Sequence, residues 1–282
     1  MRVALERSNG SLHTPWLSVT QSGGASPGEL VPHTTAAAGS ESPTVTVVIP
    51  AKNEARSLPH VLRQLPAEYE VIVVDGNSDD GTPEVAARLR PDARVVTQVG
   101  RGKGDALRLG FALAKGDVIV MIDADGSTDP GEMSRFIEAL GADVDLAKGS
   151  RFLGGGGSED ITFIRRLGNS VLAGLVNWLF GTTYSDLCYG YAAFRRRCLP
   201  ILMLDCNGFE FETLMNVRAA RAGLRVVEVP SYERSRLHGV SNLHAPRDGW
   251  RVLRTIVSEW LRHDPDADRP RAVLKELASV GG

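Results

Sequence analysis

Apolar and polar positions alternate in blocks along the middle of this chain, and the blocks predict a succession of strands and helices. The segment TVTVVIP from Thr44 is β-branched and apolar throughout, the pattern of a strand buried on both faces of a sheet, and it stops at Pro50. Leu58, Val61, Leu62 and Leu65 then recur at helical spacing, with Pro59 tolerable only near a first turn. EVIVVD ends a second strand at Asp75, and Thr82-Pro83 supplies an N-cap and a first-turn proline for a helix through Arg90. A short strand over 94–99, a helix over 103–114 and a strand over 117–123 follow. Strand and helix thus alternate in the order expected of a parallel sheet, which binds ligands beyond the carboxyl ends of its strands.

Further on, Asp129-Pro130-Gly131-Glu132 reads as a helix start running to about Leu140, and 145–149 as another strand. Leu167, Val171, Leu175 and Leu179 place one apolar face on a helix over 161–180. After an irregular stretch come a helix over 208–222, the strand LRVVEVP and a last helix over 248–262. The organisation expected is a flexible N-terminal tail at 1–44, rich in Ser, Thr, Gly and Pro, one domain at 45–263, and a charged C-terminal tail at 264–282.

Composition removes several function classes. With 43% hydrophobic and 23% charged residues, 282 residues can bury a sizeable core. Thirty-two basic residues against 34 acidic ones give a net charge of −2, which argues against a nucleic-acid partner, so any polyanion must be met locally. Cys188, Cys198 and Cys206 lack paired CxxC spacing, so they read as buried thiols rather than a disulfide framework or zinc site. No run approaches the length of a spanning helix and no secretory pattern opens the chain, so a cytoplasmic protein is expected.

The chemistry gathers at strand ends. In Asp123-Ala124-Asp125-Gly126 two carboxylates separated by one residue at a strand terminus can converge on one hard divalent cation such as Mg²⁺ or Mn²⁺. Three more segments fall on the same edge: Pro50-Ala51-Lys52-Asn53-Glu54, Asp75 through Thr82, and Arg101-Gly102-Lys103-Gly104-Asp105. An Asp there can accept from base or ribose donors, glycine turns let a ligand approach the backbone, and Lys103 at a helix start can offset phosphate charge. No GxGxxG opens the first helix, which argues against a dinucleotide oxidoreductase.

These motifs, VVIPAKNE, VVDGNSDDGT, RGKGDALRLGFALAKGDVIVMIDADG and GSRF, with SDLCYGYAAFRR and RLHGVSNL later, resemble glycosyltransferase family 2 with the GT-A fold. Within it the resemblance is greatest to dolichyl- or polyprenyl-phosphate mannosyl- and glucosyltransferases. The resemblance implies an α/β, Rossmann-like fold with a mixed, mainly parallel sheet flanked by helices. It implies transfer of glucose or mannose, with inversion, from UDP-glucose or GDP-mannose. Pro50, Asn53, Glu54 and Asp75 would contact the nucleoside, Asp123 and Asp125 would hold the metal, and Asp123 and Lys103 would border the donor. Arg151, Arg165 or Arg166, Arg234 and the loop through Ser241 would face the acceptor or its phosphate.

A phosphate acceptor is already anionic and needs no strong base, whereas a hydroxyl acceptor would make Asp186 the first candidate for general base, with Glu210 and Glu212 behind it. A polyprenyl phosphate, a soluble hydroxyl acceptor and a non-catalytic nucleotide-sugar-binding role all stay open, as does a homo-oligomer. Two departures stand out. Ser127 replaces the glutamine that the most similar mannosyltransferases carry, and Asn242 stands where a lysine is common. The apolar face of 161–180 has two uses open to it, core packing and peripheral docking on a bilayer.

Overall fold

A computed structural model describes residues 43–239 and 245–262. The chain runs β1 (Val45–Ala51), α1 (Leu58–Leu62), β2 (Glu70–Asp75), α2 (Thr82–Leu89), β3 (Arg94–Thr97), α3 (Lys103–Leu113) and β4 (Val118–Met121). After a 3₁₀ turn at Pro130–Glu132 come α4 (Met133–Ala139), β5 (Leu146–Ser150), β6 (Gly157–Ser158) and α5 (Phe163–Phe180). The remainder is β7 (Ala192–Arg195), α6 (Leu199–Leu202), α7 (Phe211–Arg221), β8 (Val226–Pro230), β9 (Tyr232–Glu233) and α8 (Ala245–Leu261).

Seven strands form one sheet in the order β3-β2-β1-β4-β7-β5-β8, and β6 pairs with β9 separately. All pairings in the large sheet are parallel except those of β7, which runs antiparallel between β4 and β5. This is the α/β, mixed and mainly parallel sheet expected. β1 has β2 on one side and β4 on the other, so the strand order reverses there and a crevice opens beyond their carboxyl ends.

Both faces of the sheet are covered, which is why its strands read as unbroken apolar runs. Val47 and Ile49 of β1 pack with Val73, Phe136 and Tyr191 on one face, whereas Val48 packs with Leu107, Phe111 and Phe194 on the other. Gly110 brings α3 close to the sheet, since a Cβ there would sit 2.3 Å from Val48 Cγ1. A third cluster, built on Ala173, Val176, Val217, Val252 and Ile256, joins α5, α7 and α8.

Several local expectations need correction. Thr82 is the first residue of α2 rather than its cap. Gly81, with φ +84°, holds the cap position, and the Thr82 hydroxyl donates to Asp80 at 2.5 Å and accepts from Glu54 N at 2.9 Å. The stretch after α5 contains β7, whose four residues were too short and too unbroken to separate from a loop. α5 buries Asn169, Ala173 and Val176 but exposes Phe163, Ile164, Leu167, Val171 and Trp178, so core packing accounts for only one of its faces. The expected tails, at 1–44 and 264–282, fall almost wholly outside the described residues. No helix among the described residues is long and apolar enough to cross a membrane.

Candidate active site

β4 delivers Asp123 and Asp125 to the crevice, with Ile122 N donating to Val48 O at 3.2 Å to prolong the strand by one residue. Gly126 follows with φ +75°, and a Cβ there would meet Leu237 Cδ1 at 2.5 Å, so only glycine lets the later chain lie against this turn. That later chain is pinned by two backbone bonds, Leu237 N to Asp125 O at 3.1 Å and Arg234 N to Ser127 O at 2.7 Å. Between them Arg236 reaches back, placing Nη2 2.8 Å from Asp125 Oδ2 and Nη1 3.3 Å from Glu54 Oε1.

A second cation stands on the other carboxylate. Lys103 Nζ lies 2.7 Å from Asp123 Oδ1 and 2.8 Å from Glu212 Oε1. Burial alone would lower the Lys103 pKa, but the two carboxylates more than reverse that and keep it charged. Burial raises the pKa of Asp123, with the Asp125 charge adding and Lys103 opposing. Glu54 is raised to about 6, chiefly by burial and further by Asp125 and Asp123, against its bond to Ser57 and the charge of Arg236.

Two cavities meet at these residues. The first, about 320 Å³, is lined by Pro50, Lys52, Glu54, Gln98, Asp123 and Arg236, among others. The second, about 630 Å³, shares Lys103, Asp123, Asp125 and Arg236 with it and continues past Arg151, Glu212 and Glu233 to the apolar side chains of Ile164, Leu172 and Val252. A group straddling the shared wall would touch both chambers.

Pro50, Glu54, Lys103, Asp123 and Asp125 are thus brought together. Asn53 and Asp75 are not cavity-lining. Asp75 is buried and accepts from Asn77 N at 3.1 Å and Ser78 N at 3.2 Å, and Asn53 Oδ1 accepts from Asp79 N at 3.1 Å, so both fasten the loops after β1 and β2. The glycines of Arg101–Asp105 likewise serve the protein's own packing: a Cβ on Gly102 would fall 2.1 Å from Asn207 O.

Of the residues expected to face the acceptor, Arg151 lines the second cavity but its fork is occupied. Nε and Nη2 meet Asp186 at 2.7 and 3.0 Å, and Nη1 meets Glu233 at 3.0 Å. Asp186 itself is 0% exposed, so a carboxylate expected to take a proton from a hydroxyl acceptor instead holds Arg151 from behind. Arg165 lines the cavity and pairs with Asp160 at 3.3 Å. Arg166 stacks over Phe152 and Arg234 pairs with Asp129 at 3.1 Å, neither at the cavity wall. Of the two further base candidates, Glu212 lines the cavity and Glu210 faces elsewhere. Ser241 and Asn242 lie outside the described residues.

Arg236, Gln98 and Lys52 were not singled out from sequence. Arg236 stood within RLHGVSNL, and only the pairing of that loop with the Asp125 turn reveals its target.

An α/β sheet whose order reverses beside a strand-end pair of aspartates, with a cavity on either side of them, is the arrangement of the GT-A glycosyltransferase fold. The family model for glycosyl transferase family 2 matches residues 46–200, and the chain belongs to that family. It is 35% identical over 218 residues to an uncharacterized glycosyltransferase of Mycobacterium tuberculosis, covering 74% of this chain and 97% of that one. With polyprenol monophosphomannose synthase of Mycolicibacterium smegmatis it shares 34% identity over 76% of this chain and 85% of that one. Among solved structures it is similar to glucosyl-3-phosphoglycerate synthase from M. tuberculosis in complex with Mn²⁺, uridine diphosphate and phosphoglyceric acid. That similarity has a TM-score of 0.61 and 25% identity, over 79% of this chain and 80% of that one.

Proposed function

We propose that this enzyme transfers a hexosyl group, with inversion, from a nucleotide diphosphate sugar to the hydroxyl of a soluble acceptor, using Mg²⁺ or Mn²⁺. The carrying observation is the shared wall of the two cavities, where Asp123, Asp125, Lys103 and Arg236 stand between a donor chamber and an acceptor chamber. The glucosyl-3-phosphoglycerate synthase complex, with its metal, nucleotide and small acceptor, supports the reading.

The residues fit a divalent cation. Asp123 and Asp125 offer hard oxygen donors, and burial, with Asp125 adding its charge, raises the pKa values of Asp123 and Glu54, so further positive charge at this edge is favoured. When bound, the cation would neutralise the diphosphate leaving group. Arg236 and Lys103, held by the surrounding carboxylates, add positive charge where the leaving group departs. The acceptor oxygen bonds to the anomeric carbon as the bond to diphosphate breaks. Glu212, the one of the three base candidates that lines this cavity, takes the hydroxyl proton while staying beside Lys103, and the nucleoside diphosphate leaves.

A polyprenyl phosphate acceptor is the second reading, favoured by the exposed apolar face of α5. Phe163 and Trp178 are 78% and 79% exposed there, and Ile164 of the same helix lines the acceptor cavity. A peripheral membrane contact would cover that face. Polyprenol monophosphomannose synthase and an undecaprenyl-phosphate mannosyltransferase of Micrococcus luteus, 36% identical over 66% of this chain, support this reading. Mass analysis of products from UDP- and GDP-hexoses, given either phosphoglyceric acid or a short polyprenyl phosphate, separates the two. Transfer to the soluble compound alone upholds the first reading, and transfer to the lipid alone replaces it with the second.

A further inference from the structure

A third cavity, about 900 Å³, lies outside the transfer cleft, between the loop before α3, the 203–210 loop and α8. Its floor is built. Glu259, 2% exposed, meets Arg218 at 2.9 Å and Arg221 at 2.5 Å, and Arg218 also meets Asp205 at 2.9 Å. Its rim is not neutralised: Arg101, Arg247 and Arg254 have no carboxylate partner among the described residues. α8 sets Arg247, Arg251 and Arg254 on one face at spacings of four and three, so their guanidinium groups converge on the same space. Asp205, Glu210, Asp248 and Glu259 also line the cavity, but the basic side chains outnumber them, and in a chain whose net charge is −2 this is a local excess of positive charge that an anion would offset.

A different kind of group points into the same space. Glu210 uses Oε1 to accept from Gly208 N at 3.2 Å, while its Oε2 is buried with no hydrogen-bond partner. An acceptor oxygen left buried in this way costs free energy unless a ligand or water donates to it. Arginine forks match phosphate oxygens, and the orphan carboxylate oxygen matches a hydroxyl. We infer that this cavity binds a phosphorylated polyol, its phosphate on the Arg101, Arg247 and Arg254 rim and a hydroxyl on Glu210. The volume suits a sugar phosphate or the glycerol phosphate headgroup of an anionic lipid.

The cavity is tied to the donor side. Gly102, Lys103 and Phe209 line both, and Gly104 N donates to Asn207 O at 3.0 Å. Occupancy therefore fixes the 205–210 loop against the segment that carries Lys103.

Calorimetric titration of the full chain with glucose 6-phosphate, in EDTA, tests the site, with Arg247→Gln/Arg254→Gln as the variant. Both arginines are exposed and glutamine keeps helix propensity, so folding is preserved and is checked by the melting temperature. Affinity in the variant is expected to fall about tenfold or more, with the affinity for uridine diphosphate measured in Mn²⁺ unchanged. Glu210→Gln should narrow the preference for glucose 6-phosphate over inorganic phosphate. Co-sedimentation with phosphatidylcholine vesicles, with and without phosphatidylglycerol, separates the sources. Phosphatidylglycerol-dependent pelleting lost in the double variant assigns the site to a headgroup, and loss of glucose 6-phosphate binding alone assigns it to a free compound. If neither binding depends on the two arginines, the proposal is overturned.

Discussion

Arg236 holds Asp125 at 2.8 Å across a gap of 111 positions in the chain, and it does so because the backbone on either side of it is bonded to the Asp125–Ser127 turn. Asp125 and Glu54 hold the guanidinium at the site, from which it can turn to a diphosphate as a cation takes up Asp125. Arg236→Ala is expected to reduce kcat/KM for the donor by about 100-fold, the scale of losing one fixed donor to developing charge, with Arg236→Lys intermediate. Steady-state kinetics check this, and an unchanged kcat/KM would remove Arg236 from the reaction.

Asp186 is assigned the task of holding Arg151. Asp186→Asn leaves a buried guanidinium with only Glu233 as a charged partner, and such losses cost about 3 kcal/mol. Thermal unfolding should show a lower melting temperature, and the pH profile of the residual activity should keep its shape. Loss of one limb of that profile would restore Asp186 as the base.

Glu259 gives the fold an acid sensitivity. Burial would raise its pKa, but Arg218 and Arg221 outweigh that and the value is lowered. A depressed carboxylate contributes stability that is complete above its unfolded pKa of about 4.3 and is lost as pH falls through the folded value. Denaturant unfolding at a series of pH values should show wild-type stability declining below about pH 5, and Glu259→Gln should start lower and decline less.

Burial pushes the thiols of Cys188, Cys198 and Cys206 up to about 12, with neighbouring carboxylates adding to it. Thiolate is the reactive form, so the folded protein at pH 8 should react slowly with a disulfide reagent and the unfolded protein rapidly at all three positions. Fast reaction of the native protein would contradict this. Only Cys198 is fully buried, so the expectation of three buried thiols holds in part.

The parallel core was legible because strands buried on both faces leave unbroken apolar runs, as in Val45–Ala51 and Glu70–Asp75. β7 was not, since its order in the sheet depends on long-range pairing with Met121 and Lys148 that no local pattern encodes. The same divide runs through the site. Asp123 and Asp125 are neighbours at one strand end and could be read together, whereas Arg236 acquires meaning only when its loop meets the distant Asp125 turn. Arg151 and Asp186 were both visible as charged residues near expected turns, but their burial and mutual engagement, which decide their roles, are properties of packing.

The central claim is tested most directly by nucleotide release from UDP- and GDP-hexoses, with Mn²⁺ or Mg²⁺ and phosphoglyceric acid, comparing the wild type with Asp123→Ala/Asp125→Ala. Acceptor-dependent release of one nucleotide that EDTA abolishes, that either metal restores and that the double variant lacks is the predicted result. Turnover of the same donor by the double variant at the wild-type rate would contradict it.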